Sequence, residues 1–198
     1  MRTTRSLAVL GALGVTMLSV VATESAAQTD SSSRVAHAVV RDANGVTLGT
    51  VSFFADRGKL AVAGRLSGVA PGFHGFHVHA IGLCDPRATD PTGAVVPFAS
   101  AGPHLDSGGH THGAHSGDLP SLLVTADGIT TTATETDRLN SALLFDADGS
   151  AIIIHAGPDN FANIPARYSA AGVPGPDAAT LGTGDSGARF ACGVFVRG

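Results

Sequence analysis

Histidines from three separate stretches of the chain could meet at one metal ion. His77 and His79 lie two residues apart in an apolar run, His104 follows a Gly-Pro pair, and His155 ends another apolar run. Side chains of a β-strand alternate between its two faces, so the imidazoles of His77 and His79 would project from the same face. Nitrogen-only ligation in a near-planar arrangement is typical of copper. The pattern therefore predicts a copper site carried by strands, although His155 taken alone would be a core or strand-end histidine.

A second group of candidate metal ligands occupies fifteen residues between two apolar runs. Its members are His104, His110, His112, His115 and Asp118. Imidazoles with one carboxylate at such spacing suit a closed tetrahedral zinc site. Each histidine alone would be an ordinary solvated loop side chain, but five candidate ligands together favour zinc. Asp118 also begins the next apolar run, which would give the site one rigid ligand.

Two charged residues nearer the end of the chain could support such a site. Asp159 lies in a Gly-Pro-Asp-Asn stretch, where it is either a turn residue or a carboxylate that accepts N–H bonds from metal-bound imidazoles and fixes their tautomers. Arg189 is either a surface arginine at a strand start or a planar donor that orients a small anion at an open metal position.

The start of the chain has the features of a secretion signal. Basic residues precede an apolar run at 7–22, which is shorter than a bilayer span and is followed by small residues before Ala27. We expect a signal peptide at 1–27, cleaved near Ala27, and no membrane span. Secretion would place the chain in an extracellular, periplasmic or cell-wall space. A flexible leader at 28–33 and a single domain at 34–198 would follow.

Composition argues against nucleic acid as a partner. Removing the first 27 residues takes away two of the 12 basic residues and one of the 16 acidic residues, which leaves a net charge of −5 with histidine neutral. The chain has no Trp and one Tyr, and it has no basic patch interleaved with aromatic residues.

Cys84 and Cys192 are the only cysteines. Two thiols in a secreted chain are expected to form a disulfide. In the chain-entropy model, closing a loop of this length restricts the unfolded chain by about 4.7 kcal/mol. The bridge would tie the segment after His79 to the strand that carries Arg189.

Short apolar runs separated by Asn-Gly and Asp-Gly turns predict an all-β sandwich or flattened barrel of about eight strands. The runs are 35–40, 46–54, 60–66, 74–80, 119–125, 129–134, 143–145, 152–155 and 190–196. No segment longer than one or two turns has a helical period, except weakly around 136–144. Two long connections, 82–118 and 156–188, are rich in Gly, Pro, Asp and His. Long loops inside a compact domain are usually functional.

Five motifs, taken in order, resemble those of the copper–zinc superoxide dismutases, most closely the secreted bacterial branch. They are GFHGFHVH at 72–79, AGPH at 101–104, HSGDL at 115–119, IH at 154–155 and RFACGV at 189–194. The resemblance implies an eight-stranded, immunoglobulin-like Greek-key β-barrel or sandwich with two long functional loops. It also implies conversion of superoxide, a small-molecule substrate, to oxygen and hydrogen peroxide by alternate reduction and reoxidation of a histidine-bound copper.

The resemblance assigns a role to each candidate residue. It implies copper ligands at His77, His79, His104 and His155, and zinc ligands at His104, His112, His115 and Asp118. Asp159 would link the two ligand sets, and His74 would have a structural role beside them. Arg189 would orient the anion, and His104 would bridge the metals and carry a proton during the cycle. Cys84 and Cys192 would form the disulfide of the family.

Two features depart from the family pattern. The zinc histidines are packed closely: His112 keeps the usual eight-residue spacing from His104 but lies three residues before His115, so His110 is a rival ligand. Between 158 and 188 the only cation is Arg167, so lysines that line the channel of many relatives are absent.

Two other functions remain open at this point. One is a copper-binding or copper-sequestering protein without turnover, and the other is a silent sandwich that serves as an interaction module. Either a monomer or a homodimer is compatible with the sequence.

Overall fold

The computed structural model describes residues 33–198. The predicted signal peptide and all but the last residue of the predicted leader lie outside these residues. Within this range no helix has the length and apolar composition needed to cross a membrane.

Residues 33–198 contain twelve β-strands, two short α-helices and one 3-10 turn. The strands are β1 (Arg34–Asp42), β2 (Thr47–Asp56), β3 (Lys59–Ser67), β4 (Gly72–His74), β5 (Phe76–His79), β6 (Leu122–Val124), β7 (Ile129–Thr136), β8 (Ala151–His155), β9 (Ser169–Ala170), β10 (Val173–Pro174), β11 (Arg189–Val194) and β12 (Val196–Arg197). The helices are α1 (Ser141–Leu144) and α2 (Ala178–Thr183), and the 3-10 turn is Ala99–Ala101.

One antiparallel sheet holds most strands in the order β5-β8-β11-β1-β2-β3-β7, with β12 also paired to β1. Beyond β5 the pairing continues through a bridge between His77 and Asp118 and through the β4–β6 pair. β6 then turns into β7, where the Thr125 N–H donates to the Ile129 carbonyl (3.0 Å). The sheet therefore curls, because its β5 edge is linked through β4 and β6 to β7 at the opposite edge. β7 pairs with β3, although β4, β5 and β6 lie between them in the sequence. The predicted all-β Greek-key fold is confirmed.

β8 is buried on both faces, and this position sets up the site. Ile152 and Ile154 pack into the main core. Ala151 and Ile153 pack on the other side into a smaller cluster. The other members of that smaller cluster are Phe98, Ala101, Cys84 and Cys192. A strand buried on both faces is a rigid support for the histidine at its end.

The predicted strand at 143–145 is wrong. Residues Ser141–Leu144 form α1, a single helical turn. Asn140 precedes it in an extended conformation, and its side chain accepts a hydrogen bond from the Leu143 N–H (3.0 Å). This cap satisfies a backbone donor at the start of the turn, and such local bonding outweighs the strand preference of a three-residue apolar run.

Cys84 and Cys192 form a disulfide with their Cα atoms 5.7 Å apart, as predicted. The bond joins the first long connection to β11 and closes a loop with a sequence separation of 108 residues. Both cysteines pack against Phe98 and Ala101 in the smaller cluster. The disulfide therefore fixes the loop that leads to His104 against the strand that begins at Arg189.

Removal of this disulfide should lower stability substantially. The Cys84→Ser/Cys192→Ala variant is expected to lose about 2–5 kcal/mol in free energy of unfolding, because the unfolded chain regains the freedom of the closed loop. Urea unfolding followed by circular dichroism measures the change. Reduction of the wild-type protein should produce a similar loss, and a difference below about 1 kcal/mol in both cases would contradict the prediction.

Candidate metal centre

Strand alternation places two histidines on the face of β5 that lies away from the main core. Phe76 and Val78 are buried in that core. His77 and His79 are equally buried, with exposures of 0% and 1%, but they belong to a cluster of potential metal ligands. β5 pairs with β8, so His155 at the end of β8 lies on the neighbouring strand.

The first long connection brings His104 onto the same strands. His104 pairs with His79 in an isolated bridge, and the Ala80 N–H donates to the Pro103 carbonyl (3.0 Å). The Leu105 N–H donates to the Val78 carbonyl (2.8 Å). His104 is therefore held by backbone bonds on both sides, although it lies on a loop.

Four imidazoles converge on one point, and one nitrogen of each lies within 4.8 Å of the others. They are His77, His79, His104 and His155. The Nδ1 atom of His77 and the Nε2 atoms of the other three are buried, and residues 33–198 offer them no hydrogen-bond partner. Buried polar atoms normally find partners, and unpaired ones are unfavourable. A metal ion at their centre would satisfy all four, so these residues fit copper. We call them the copper set.

In two members of the copper set, His79 and His155, a backbone carbonyl beside the other ring nitrogen fixes the tautomer. His79 Nδ1 donates to the Gly102 carbonyl (2.8 Å), and His155 Nδ1 donates to the Gly187 carbonyl (3.0 Å). A carbonyl oxygen only accepts, so each ring carries its proton on Nδ1 and keeps a lone pair on Nε2. Metal-binding histidines in proteins are oriented in this way.

A second group has four side chains, and the ligand atoms of three of them, His104, His112 and Asp118, have the spacing of a tetrahedral site. His104 Nδ1 lies 2.9 Å from Asp118 Oδ1, and His112 Nδ1 lies 3.2 Å from that oxygen and 3.3 Å from His104 Nδ1. His115 Nδ1 is buried without a hydrogen-bond partner and lies 3.4 Å from Asp118 Oδ2. Ligand atoms about 2.0–2.1 Å from a tetrahedral zinc ion lie roughly 3.3 Å apart, so these residues fit zinc. We call them the zinc set.

His77 lies close to both sets. Its ring, His104, His112 and Asp118 also offer atoms within 4.8 Å of one another. However, His77 Nε2 is occupied by a bond of 2.8 Å to Asp159, and its free Nδ1 belongs to the copper set. His115 is therefore the better fourth member of the zinc set.

Asp159 connects the two sets directly. Its Oδ2 accepts from His77 Nε2 and its Oδ1 accepts from His112 Nε2, both at 2.8 Å. The Asp159 side chain is 1% exposed, so both bonds are shielded from water. One carboxylate thus orients a ring of each set.

His110, the rival zinc ligand, lies outside both sets. Its side chain is 51% exposed, and its Nδ1 lies 2.8 Å from Asp106 Oδ1. The His110 backbone N–H also donates to Asp106 Oδ2 (2.7 Å). These two bonds turn the ring toward solvent, whereas the side chain of His112 is fully buried.

His74 supports the strands beneath the site. Its Nδ1 contacts the His155 carbonyl at 2.7 Å and its Nε2 contacts the Ala70 carbonyl at 2.8 Å. The ring is 4% exposed and ties the backbone of β8 to the turn before β4.

Arg189 lies beside the copper set and is held by two backbone carbonyls. Its guanidinium donates to the Phe98 carbonyl and to the Gly102 carbonyl, the latter at 2.6 Å. Gly102 also accepts from His79, so a single carbonyl joins Arg189 to a member of the copper set. Burial lowers the pKa of Arg189. Its ordinary pKa is so high that the side chain stays charged.

Sequence reasoning missed two aromatic residues in this region. Phe98 has a left-handed backbone (φ 62°) and presents its carbonyl to Arg189. Phe161 also has positive φ (55°). Its ring is nearly parallel to that of His112, and the two ring centroids lie 6.4 Å apart. Its N–H donates to Asp159 Oδ1 (2.7 Å). Nothing in their residue type signals these backbone conformations, which bulky residues rarely adopt.

The two sets differ in charge when no metal is bound. Burial lowers the pKa of His155 to about 3 and that of His104 to about 4, and it also lowers the pKa of His79. Burial opposes charge on His112 as well, but hydrogen bonds to Asp118 and Asp159 outweigh it and raise its pKa to about 9. At neutral pH the rings of His79, His104 and His155 are therefore neutral, whereas His112 is a cation between the Asp118 and Asp159 carboxylates.

These shifts predict acid sensitivity of the metal-free protein. The unfolded chain takes up protons on His104 and His155 near pH 6.5, whereas the folded chain takes them up only near pH 4 and pH 3, respectively. The lowered pKa of His79 acts in the same direction. Stability should therefore fall as the pH is lowered from 6.5 to 4, by up to about 1.4 kcal/mol per pH unit for each histidine. The raised pKa of His112 gives stability that is already complete below pH 6.5, so it adds no slope there. Thermal unfolding across this range measures the effect; the metal-loaded protein should change less, and a flat metal-free profile would refute the prediction.

Comparisons with known proteins agree with this geometry. A family model for copper/zinc superoxide dismutase (SODC) matches residues 47–195. The Cu-Zn superoxide dismutase of Mycolicibacterium paratuberculosis is 52% identical over 133 residues, which cover 66% of this chain and 59% of that protein. That of Mycobacterium tuberculosis is 47% identical over 161 residues, covering 78% of this chain and 67% of that protein. The alignment thus spans less than two thirds of the first relative.

Solved structures are also similar to the described fold. The Cu/Zn superoxide dismutase from Brucella abortus has a TM-score of 0.59 at 32% identity, covering 80% of this chain and 97% of that one. A SOD-like protein from Bacillus subtilis has a TM-score of 0.62 at 26% identity, covering 82% and 99%. The resemblance indicated by the five sequence motifs is therefore confirmed.

Proposed function

The chain belongs to the copper/zinc superoxide dismutase family, and we propose that it converts superoxide to oxygen and hydrogen peroxide. Two superoxide anions and two protons give one molecule of each product. The observation that carries this proposal is the convergence of four unpaired imidazole nitrogens beside a fixed guanidinium. Copper bound there would supply one-electron acceptance and donation.

The ligand assignments follow from the lone pairs. We assign copper to the Nδ1 atom of His77 and to the Nε2 atoms of His79, His104 and His155. Zinc is assigned to His104, His112, His115 and Asp118. His112 is preferred over His110 because its ring is buried against Asp118 and Asp159, whereas His110 faces solvent.

The chain contributes binding, orientation and proton handling. Within the part of the chain that the structure describes, Arg189 uses two of its five N–H donors on backbone carbonyls, which leaves three that could bind an anion beside the copper set. Asp159 keeps His77 and His112 in fixed orientations. His104 Nε2 is one of the four converging nitrogens of the copper set. It could hold a proton and deliver it to the peroxide formed when superoxide is reduced.

We also propose that the protein acts outside the cytoplasm after loss of residues 1–27. The disulfide supports an oxidising compartment. N-terminal sequencing of the protein recovered from a secretion-competent host should begin near Gln28.

The test of function separates turnover from storage. The purified chain is loaded with copper and zinc, dialysed against a chelator, and assayed for metal content and for superoxide removal. Retained copper with superoxide removal well above the chelated-copper background, and one peroxide per two superoxide anions, is expected. Retained copper without turnover would favour the copper-sequestering alternative, and loss of copper on dialysis would favour the interaction module.

A further inference from the structure

The C-terminal end of α2 lies directly against the zinc set. Asp177 caps the start of the helix by accepting from the Thr180 N–H (2.9 Å), and Gly184 ends it with positive φ (62°). The His112 N–H donates to the Leu181 carbonyl at 2.7 Å. Backbone of this helix end therefore touches a residue of the zinc set.

Gly184 faces the bond between Asp159 and His112. A Cβ atom at position 184 would lie 2.0 Å from Asp159 Oδ1 and 2.3 Å from His112 Nε2. These are the two atoms joined by the 2.8 Å hydrogen bond. Any side chain at position 184 would therefore occupy the space of the hydrogen bond between Asp159 and His112.

Neither partner has room to move aside. The side chains of Asp159 and His112 are 1% and 0% exposed. The second oxygen of Asp159 is bonded to His77, and the Asn160 N–H donates to the Gly184 carbonyl at 2.9 Å. A side chain at 184 would therefore push the carboxylate away from His112.

We propose that Gly184 is a positioning residue for the zinc set, because its lack of a side chain allows Asp159 to orient His112. The inference rests on the proposed function and adds to it a residue that binds no metal. It predicts that zinc binding depends on position 184 more strongly than strain in the turn alone would explain.

A matched substitution separates crowding from backbone strain. Gly184→Ala forces alanine into a left-handed conformation and fills the space beside Asp159. Gly172→Ala forces the same conformation (φ +83°) in the same long connection, but its Cβ would have no atom within 4 Å. Alanine pays a similar backbone penalty at both positions.

The readouts are zinc affinity, measured by competition with a chelator, and the absorption spectrum of cobalt(II) bound in place of zinc. Gly184→Ala should bind zinc about 10- to 100-fold more weakly and change the cobalt spectrum. Gly172→Ala should match the wild type in both. Equal zinc affinity and equal spectra for the two variants would overturn the proposal.

A second background keeps the test decisive if Gly184→Ala fails to fold. In Asp159→Ala the carboxylate is absent and its space is open to the His112 ring, so adding Gly184→Ala should cause little further loss of zinc affinity. A further loss of about 10-fold or more relative to Asp159→Ala alone would refute the role of Gly184. Wild-type protein that binds zinc but does not remove superoxide would instead refute the proposed function alone.

Discussion

Replacing Arg189 by glutamine is expected to lower kcat/KM for superoxide about 10- to 100-fold while copper content stays unchanged. The guanidinium is held by the Phe98 and Gly102 carbonyls at the edge of the copper set, and we propose that it attracts and orients the superoxide anion there. Glutamine removes the charge and most of the donors. The rate should also lose much of its dependence on ionic strength, because salt screens the attraction that has been removed.

Two further variants identify the cause of the loss. Arg189→Lys keeps the charge but lacks the planar fork, so a partial loss would assign part of the effect to geometry. Arg167→Gln removes one charge from the long connection at 156–188, which precedes Arg189, and the Arg167 side chain lies over the Tyr168 ring. It should change the rate far less. An unchanged salt dependence in Arg189→Gln would contradict the steering role.

The strand-borne part of the site could be predicted because it depends on local alternation. His77 and His79 share a face of β5 while Phe76 and Val78 enter the core, and a two-residue period is enough to show this. The order of the motifs then identified His155 as the third strand-borne ring. The same pattern reasoning failed at 143–145, where an apolar run predicted a strand and the helical period around 136–144 was weak; the cap at Asn140 stabilises a helical turn there instead.

Contacts between distant segments could not be predicted from the sequence alone. Asp159 reaches His77 across 82 residues, a link that the family resemblance implied but that residue spacing alone could not establish. The Phe98 carbonyl reaches Arg189 across 91 residues, and neither spacing nor the resemblance indicated this contact. Residue types do not reveal which backbone carbonyl faces which side chain. The packing of Phe98 against the disulfide cluster holds its left-handed backbone in place, and that packing exists only in the folded chain.

The choice between His110 and His112 illustrates the same limit. Spacing favoured His112 but left His110 open, because both lie in one glycine-rich loop. The folded chain separates them through Asp106, which binds both the backbone and the ring of His110 and turns it outward. The decisive contact involves a residue that has no role in either set.

Replacing His104 by alanine should weaken binding of both metals, unlike any other single substitution in the copper set. His104 Nε2 is one of the four unpaired nitrogens of the copper set, and Nδ1 lies 2.9 Å from Asp118 in the zinc set. Loss of the His104 ring would remove one proposed ligand from the copper set and one from the zinc set. Superoxide removal should fall by at least about 100-fold, since both a ligand and a proton-carrying group are lost.

His79→Ala is the matched comparison, because it removes a copper ligand whose other nitrogen faces the Gly102 carbonyl rather than the zinc set. This variant should lose copper and turnover but keep zinc affinity near that of the wild type. Elemental analysis after chelator dialysis, with cobalt(II) spectra for the zinc set, distinguishes the two outcomes. If His104→Ala retained zinc as well as His79→Ala does, His104 would not be a shared ligand. The two sets would then be independent sites that are merely close together.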